Sequence, residues 1–158
     1  MLEFKGRRRQ QWAPNRLTEL YFLDEATGLA AGHRPCGECR YRDYQALKRA
    51  WAAAFGGGVP GVAEIDARLH EDRLVRPGVR RWYTAALSDL PDGVMVSVGQ
   101  APWLVWGGGL RAWTPGRYRA SGRPTPAAPV TVITPRATVA VLVAGYRPVI
   151  HPSAVRNR

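Results

Sequence analysis

Cys36 and Cys39 are the only cysteines of the chain, two residues apart in the stretch AAGHRPCGECR at residues 30–40. Thiols at that spacing suit two kinds of chemistry, metal ligation and thiol–disulfide exchange. Zinc takes four ligands in a structural site and at least three protein ligands in a catalytic one. The pair therefore supplies half of a structural set. Two cysteines with two histidines form a common zinc site, and the chain has three histidines, His33, His70 and His151. Each is a candidate completing ligand, and each also has the ordinary reading of a hydrogen-bonded structural side chain. Two other readings stand beside these. A segment upstream of Met1 would supply a first pair of ligands, or the cysteines bind no metal and are a relic or a redox pair.

Pro-Cys-x-x-Cys also resembles the second half of the signature of zinc nucleoside deaminases, whose first half is a His-x-Glu or Cys-x-Glu placed earlier in the chain. No such element precedes residue 35. Leu69-His70-Glu71 follows instead, so Glu71 would serve as proton shuttle beside a zinc-bound water only in a rearranged chain order. FGGGVPG and WGGGLRAW lack the Gly-Lys-Ser/Thr ending of a phosphate loop and read as turns.

The charge pattern points to a polyanion. Formal net charge is +11, and all twelve carboxylates lie at or before Asp92. The last third has no acid with which to build a paired-carboxylate site or to ligate a hard cation. Its arginines can bind phosphate. Arg7, Arg8 and Arg9 beside Trp12 combine phosphate charge with a stacking surface, and Arg111, Arg117 and Arg119 lie among tryptophans. Nucleic acid, DNA first, is the expected partner. Apolar content of 46% and charged content of 22% are those of a globular chain. No apolar run reaches the roughly 18 residues of a membrane span. The first residues lack a signal peptide's apolar core, so the expected location is the cytoplasm.

The elements that must position these residues can be read from periodicity and breakers. Leu20–Leu23 is a short strand-type run, Asp24 an N-cap, and a short helix follows to Gly32. Residues 41–55 form an amphipathic helix with Tyr44, Leu47, Trp51 and Ala54 on one face, stopped by three glycines. Residues 62–74 form another, with Val62, Ile65 and Leu69 in a stripe. Strands are predicted at 94–98, 103–106, 110–113 and 130–133. Thr134-Pro135 reads as a cap and first turn for a helix ending at Gly145. The order of elements in LYFLDEATGLAAGHRP returns in VTVITPRATVAVLVAGYRP, a unit used twice or a chance match.

FLDEATGLAAGHRPCGECR resembles the second half of the zinc module of the Ada family of bacterial DNA alkylation-repair and response proteins. Phe22, Asp24, Ala31, Gly32, His33, Arg34, Pro35, Cys36 and Cys39 carry the match. The resemblance implies a small zinc-stabilised module with a DNA-linked role, and places His33 in a position that is aromatic in that family. Ada modules complete their zinc with an earlier cysteine pair, one member of which accepts a methyl group from DNA phosphotriesters. This chain has no earlier cysteine, so that methyl transfer does not carry over.

The expectation is an α+β fold: an Ada-like metal-binding module with its helix at 1–58, a helical connector at 59–89, and a β-rich basic part at 90–158. The expected function is zinc-assisted nucleic-acid binding, linked to DNA repair or regulation. A deaminase-like hydrolase and a protein-interaction module with a degenerate metal site are the alternatives. Whether any reaction is catalysed is left open.

Overall fold

The computed structural model describes residues 3–8, 14–15, 20–120 and 129–155. Arg9 and Trp12 lie outside them, and Arg7 and Arg8 are described in their backbone only. In chain order the elements are strands β1 (Glu3–Phe4) and β2 (Arg7–Arg8), and helices α1 (Glu25–Ala30), α2 (Tyr41–Phe55) and α3 (Val62–Arg73). Eight further strands begin with β3 (Leu74–Arg76), β4 (Val79–Arg80), β5 (Tyr83–Ala86) and β6 (Met95–Val98). They continue with β7 (Ala101–Trp106), β8 (Gly109–Thr114), β9 (Arg117–Ala120) and β10 (Pro129–Val132), then helices α4 (Arg136–Val143) and α5 (Pro152–Val155).

The main sheet has six strands in the order β5-β10-β6-β7-β8-β9, every neighbouring pair antiparallel. Helices packed on an antiparallel sheet make an α+β architecture, as expected. The late strand β10 lies between β5 and β6. Because side chains alternate across a strand, the sheet has two apolar faces. Val96, Val105, Leu110, Val130 and Val132 join one cluster with Leu47, Trp51, Ile65, Leu69, Val141 and Leu142. Met95, Leu104 and Tyr118 join another with Ala26 and Ala154. The first cluster draws on residues from all three segments marked out in the sequence, and α1 touches both clusters through Leu29 and Ala26.

Helix α2 spans the predicted residues, with Leu47 and Trp51 buried, and Gly56 ends it at φ +74°. Helix α3 buries Ile65 and Leu69, but Val62 is exposed. It runs straight into a hairpin, β3–β4, that turns at Pro77-Gly78.

Two expectations are corrected. Residues 20–23 are not a strand, and Leu20, Tyr21 and Phe22 are exposed. The Phe22 ring instead lies on Gly28 of α1, where an added Cβ would come within 3.3 Å of it. Thr134 does not cap α4. Its hydroxyl accepts the Met95 N–H at 2.8 Å, tying β10 to β6, and the Ala137 N–H is taken by Asp72 at 2.6 Å.

Asp24 caps α1 as predicted, in a reciprocal capping box with Thr27. Its carboxylate also accepts from the Tyr118 hydroxyl at 3.1 Å and the His151 N–H at 3.1 Å. The adjacent Glu25 accepts from the Tyr146 hydroxyl at 2.7 Å and the Val149 N–H at 2.8 Å. Two neighbouring carboxylates thus fasten residues 146–151 onto α1. The echoed units share one local device: both helices end with a glycine at positive φ, Gly32 and Gly145. The same pair of bonds closes each, His33 N–H to Gly28 C=O and Gly32 N–H to Leu29 C=O, then Tyr146 to Val141 and Gly145 to Leu142.

Candidate functional site

The cysteines sit on a turn between α1 and α2 that is closed by the Arg40 N–H bonding to the Cys36 carbonyl at 3.0 Å. Both are free thiols, Cys36 exposed and Cys39 partly covered. The Glu38 N–H reaches the Cys36 sulfur at 3.4 Å. Donors from the turn hold the Cys36 thiol below the ordinary thiol range, the Cys39 N–H first, with burial opposing and the Glu38 N–H assisting. Cys39 is pushed the other way, first by burial and then by the Cys36 thiol, with which it shares a hydrogen bond. Gly37 lies against the Tyr44 ring, and the Arg34 guanidinium stacks 5.3 Å from that ring's centre. Arg34 also grips Asp66 of α3 with two bonds of 2.7 and 2.9 Å. These contacts anchor the turn to α2 and α3.

The three histidines do not join the thiols. Among the described residues no three His, Cys, Asp or Glu side chains are grouped to hold a metal ion. His33 and His70 share a different pocket of about 350 Å³ with Arg34, Asp66 and Arg73. His151 is engaged in the turn into α5, where its Nδ1 lies 2.8 Å from the Ser153 hydroxyl and 3.3 Å from the Ser153 N–H. Glu71 is not grouped with the cysteines either, among the described residues. Two thiols that share a hydrogen bond on one turn suit half of a tetrahedral thiolate set. The undescribed segments contain no cysteine or histidine.

His33 packs its ring against Phe22, centres 5.3 Å apart. Burial, then the positive charges of Arg73 and Arg80, lower its pKa. Below the ordinary value of about 6.5 the unfolded chain thus binds more protons than the folded one. The stability that His33 contributes is complete above that value and is lost as pH falls toward the folded pKa. His33→Phe keeps a ring beside Phe22 and removes the titration. Between about pH 7.5 and 5.5, denaturant titrations are expected to show the stability difference moving steadily in favour of the variant. A difference that does not change with pH would exclude this role for His33.

Next to that pocket lies a second cleft of about 330 Å³, with Arg73 in the wall of both. It opens between α1, the β3–β4 hairpin and the second face of the sheet. Phe22, Trp82 and Trp113 supply aromatic walls, Met95, Pro102 and Ile133 the floor, and Arg73 and Arg80 the charge. No carboxylate lines it. Arg73 is held by its stem, which an added Cβ on Gly32 would meet at 2.6 Å, and by a 3.2 Å bond to the Ala31 carbonyl. Among the described residues, the buried side-chain polar atoms without a hydrogen-bond partner are Arg73 Nε and Trp113 Nε1. Both belong to this wall.

The arginines named from sequence fall into different roles. Arg111 is half-buried and donates to the Ala154 carbonyl at 3.3 Å, so it ties α5 to the sheet. Arg117 and Arg119 are exposed on the edge strand β9, two residues apart and therefore on one face. The buried Tyr118 between them faces inward. Sequence reading passed over Arg76, Arg80 and Trp82 on and beside the hairpin, all exposed. The signal was present in RPGVRRW, a turn followed by arginines and a tryptophan, the same composition that drew attention to KGRRRQQW. No protein-family model, curated protein or solved structure matches the chain.

Proposed function

We propose that this chain is a cytoplasmic nucleic-acid-binding protein, DNA first, in which Cys36 and Cys39 form one half of a structural zinc site. The nucleic-acid reading is carried by unneutralised charge. Net charge is +11 with no carboxylate beyond Asp92, and among the described residues none pairs with the exposed Arg76, Arg80, Arg117 or Arg119. Guanidinium groups left in this state displace counterions from a phosphate backbone and gain affinity by doing so. The zinc reading rests on the thiol-bearing turn and on its likeness to the Ada module, which also supplies the link to repair or regulation. The remaining zinc ligands come from a further segment or a partner polypeptide.

A second reading takes the same pair as a dithiol–disulfide couple. It is favoured by the free, hydrogen-bonded thiols with Cys36 the more exposed. One preparation separates the two. Protein isolated under reducing conditions with its natural partners is expected to contain zinc, and Cys36→Ser or Cys39→Ser to lose it. Absence of zinc together with ready disulfide formation would favour the couple instead. Affinity for a mixed-sequence duplex is expected to drop about tenfold or more between about 50 and 200 mM salt. Salt-insensitive or undetectable binding would remove the nucleic-acid reading.

A further inference from the structure

The aromatic cleft is not explained by a surface that binds phosphate backbone alone. Such a surface needs charge, whereas this cleft combines three aromatic side chains, Phe22, Trp82 and Trp113, with two guanidiniums and no acid. Its volume of about 330 Å³ is at the small end for ligand sites, which run from about 300 to 1,000 Å³. It suits one planar group and its attached anion better than a peptide segment. Trp82 is 53% exposed, which leaves its ring free to stack. The neighbouring pocket that shares Arg73 adds His33, His70 and the Arg34–Asp66 ion pair, giving a polar continuation.

A second observation is independent of shape. Buried polar groups in folded proteins nearly always find a partner, and those that do not call for an explanation. The two orphaned donors, Arg73 Nε and Trp113 Nε1, belong to residues of this one wall. Both atoms lie beneath the surface of the cleft, so the acceptors of a ligand reach them only when these wall side chains shift.

From these features we propose that the cleft receives one unstacked nucleobase of a single strand, with Arg73 and Arg80 taking the adjoining phosphate. This inference deepens the nucleic-acid reading and rests on it. Stacking between a base and an aromatic side chain tolerates any base, so the site recognises an unpaired strand rather than a sequence.

The test measures binding of the full chain, at fixed salt, to a single-stranded oligonucleotide, its blunt duplex, a fully abasic strand of equal length and a 5′-mononucleotide. The base-bearing strand is expected to bind about tenfold or more tightly than the abasic strand. Trp82→Ala is expected to lose about tenfold or more of the affinity for the strand while leaving duplex binding unchanged. The exposure of Trp82 makes this variant safe for folding, and an unchanged thermal midpoint confirms it. Arg80→Ala is expected to weaken strand binding and to lower its salt slope by about one. Equal affinity for abasic and base-bearing strands, or a Trp82→Ala protein that binds the strand like the parent, overturns the base site and leaves the phosphate-binding reading intact. A mononucleotide that binds as tightly as the strand assigns the cleft to free nucleotides and also overturns it. No binding to any of the four overturns both.

Discussion

Replacing Asp24 by alanine is expected to cost about 3–5 kcal/mol of folding stability, although the residue sits at the start of a helix of only six residues. A lost N-cap accounts for about 1 kcal/mol. The rest comes from distant groups. The Tyr118 hydroxyl donates to Asp24 at 3.1 Å from a side chain only 1% exposed, and the His151 N–H donates from the other side. Burial, with the Asp24 charge added, raises the Tyr118 pKa so far that its hydroxyl stays protonated and needs an acceptor. Leaving such a donor unsatisfied costs about 1–3 kcal/mol. Asp24→Asn keeps an acceptor oxygen and is expected to lose less than half as much. Urea titrations with unchanged slope would measure both. A loss below about 1 kcal/mol for Asp24→Ala would show that Asp24 only caps its helix. Tyr118→Phe combined with Asp24→Ala should cost less than the sum of the two, because one bond is then counted once.

Gly93→Ala is expected to cost about 2–4 kcal/mol for two separable reasons. Gly93 has φ +96° in the turn entering β6, where a side chain is strained whatever the space around it. An added Cβ would also stand 2.8 Å from the Pro148 ring and 3.6 Å from Leu142. A proline ring cannot rotate away as a flexible side chain does, so the turn and the 146–151 segment must separate. Pro148→Ala removes the steric part alone. In a double-mutant cycle it is expected to recover about 1–2 kcal/mol of the Gly93→Ala loss. Complete additivity would mean that backbone strain alone carries the cost.

Much of the helical half was legible because local chemistry and final packing agree there. The 3.6-residue spacing of Leu47 and Trp51 and the glycine stop at 56 fix α2, and the capping box fixes α1. Strands β6, β7 and β8 read correctly from their β-branched and aromatic runs. Legibility failed where a partner far along the chain decides. Asp72 takes the α4 N–H that Thr134 was expected to serve, because the Thr134 hydroxyl is drawn to Met95. Residues 20–22 have strand composition, but Phe22 packs on a helical glycine instead of a neighbouring strand. The short strands β3, β4 and β5 carry arginines and alanines, so no alternation of apolar and polar residues announces them.

The candidate site divides the same way. The thiol pair was visible as a spacing. The aromatic cleft was not, since Phe22, Arg73, Trp82 and Trp113 come from separate elements and meet only when the hairpin and α1 flank the sheet. Equal composition also concealed unequal roles. Arg111 and Arg117 look alike in sequence, yet one secures α5 and the other faces solvent.

The position of β10 between β5 and β6 has a consequence during synthesis. A nascent chain that has left the ribosome only as far as residue 120 holds β5 and β6 with no strand to join them, and the inner edge of β6 bare. Unpaired edges of this kind invite pairing with other chains. The protein can thus complete its sheet only after translation has passed residue 132, and ribosomes stalled before that point would release aggregation-prone fragments.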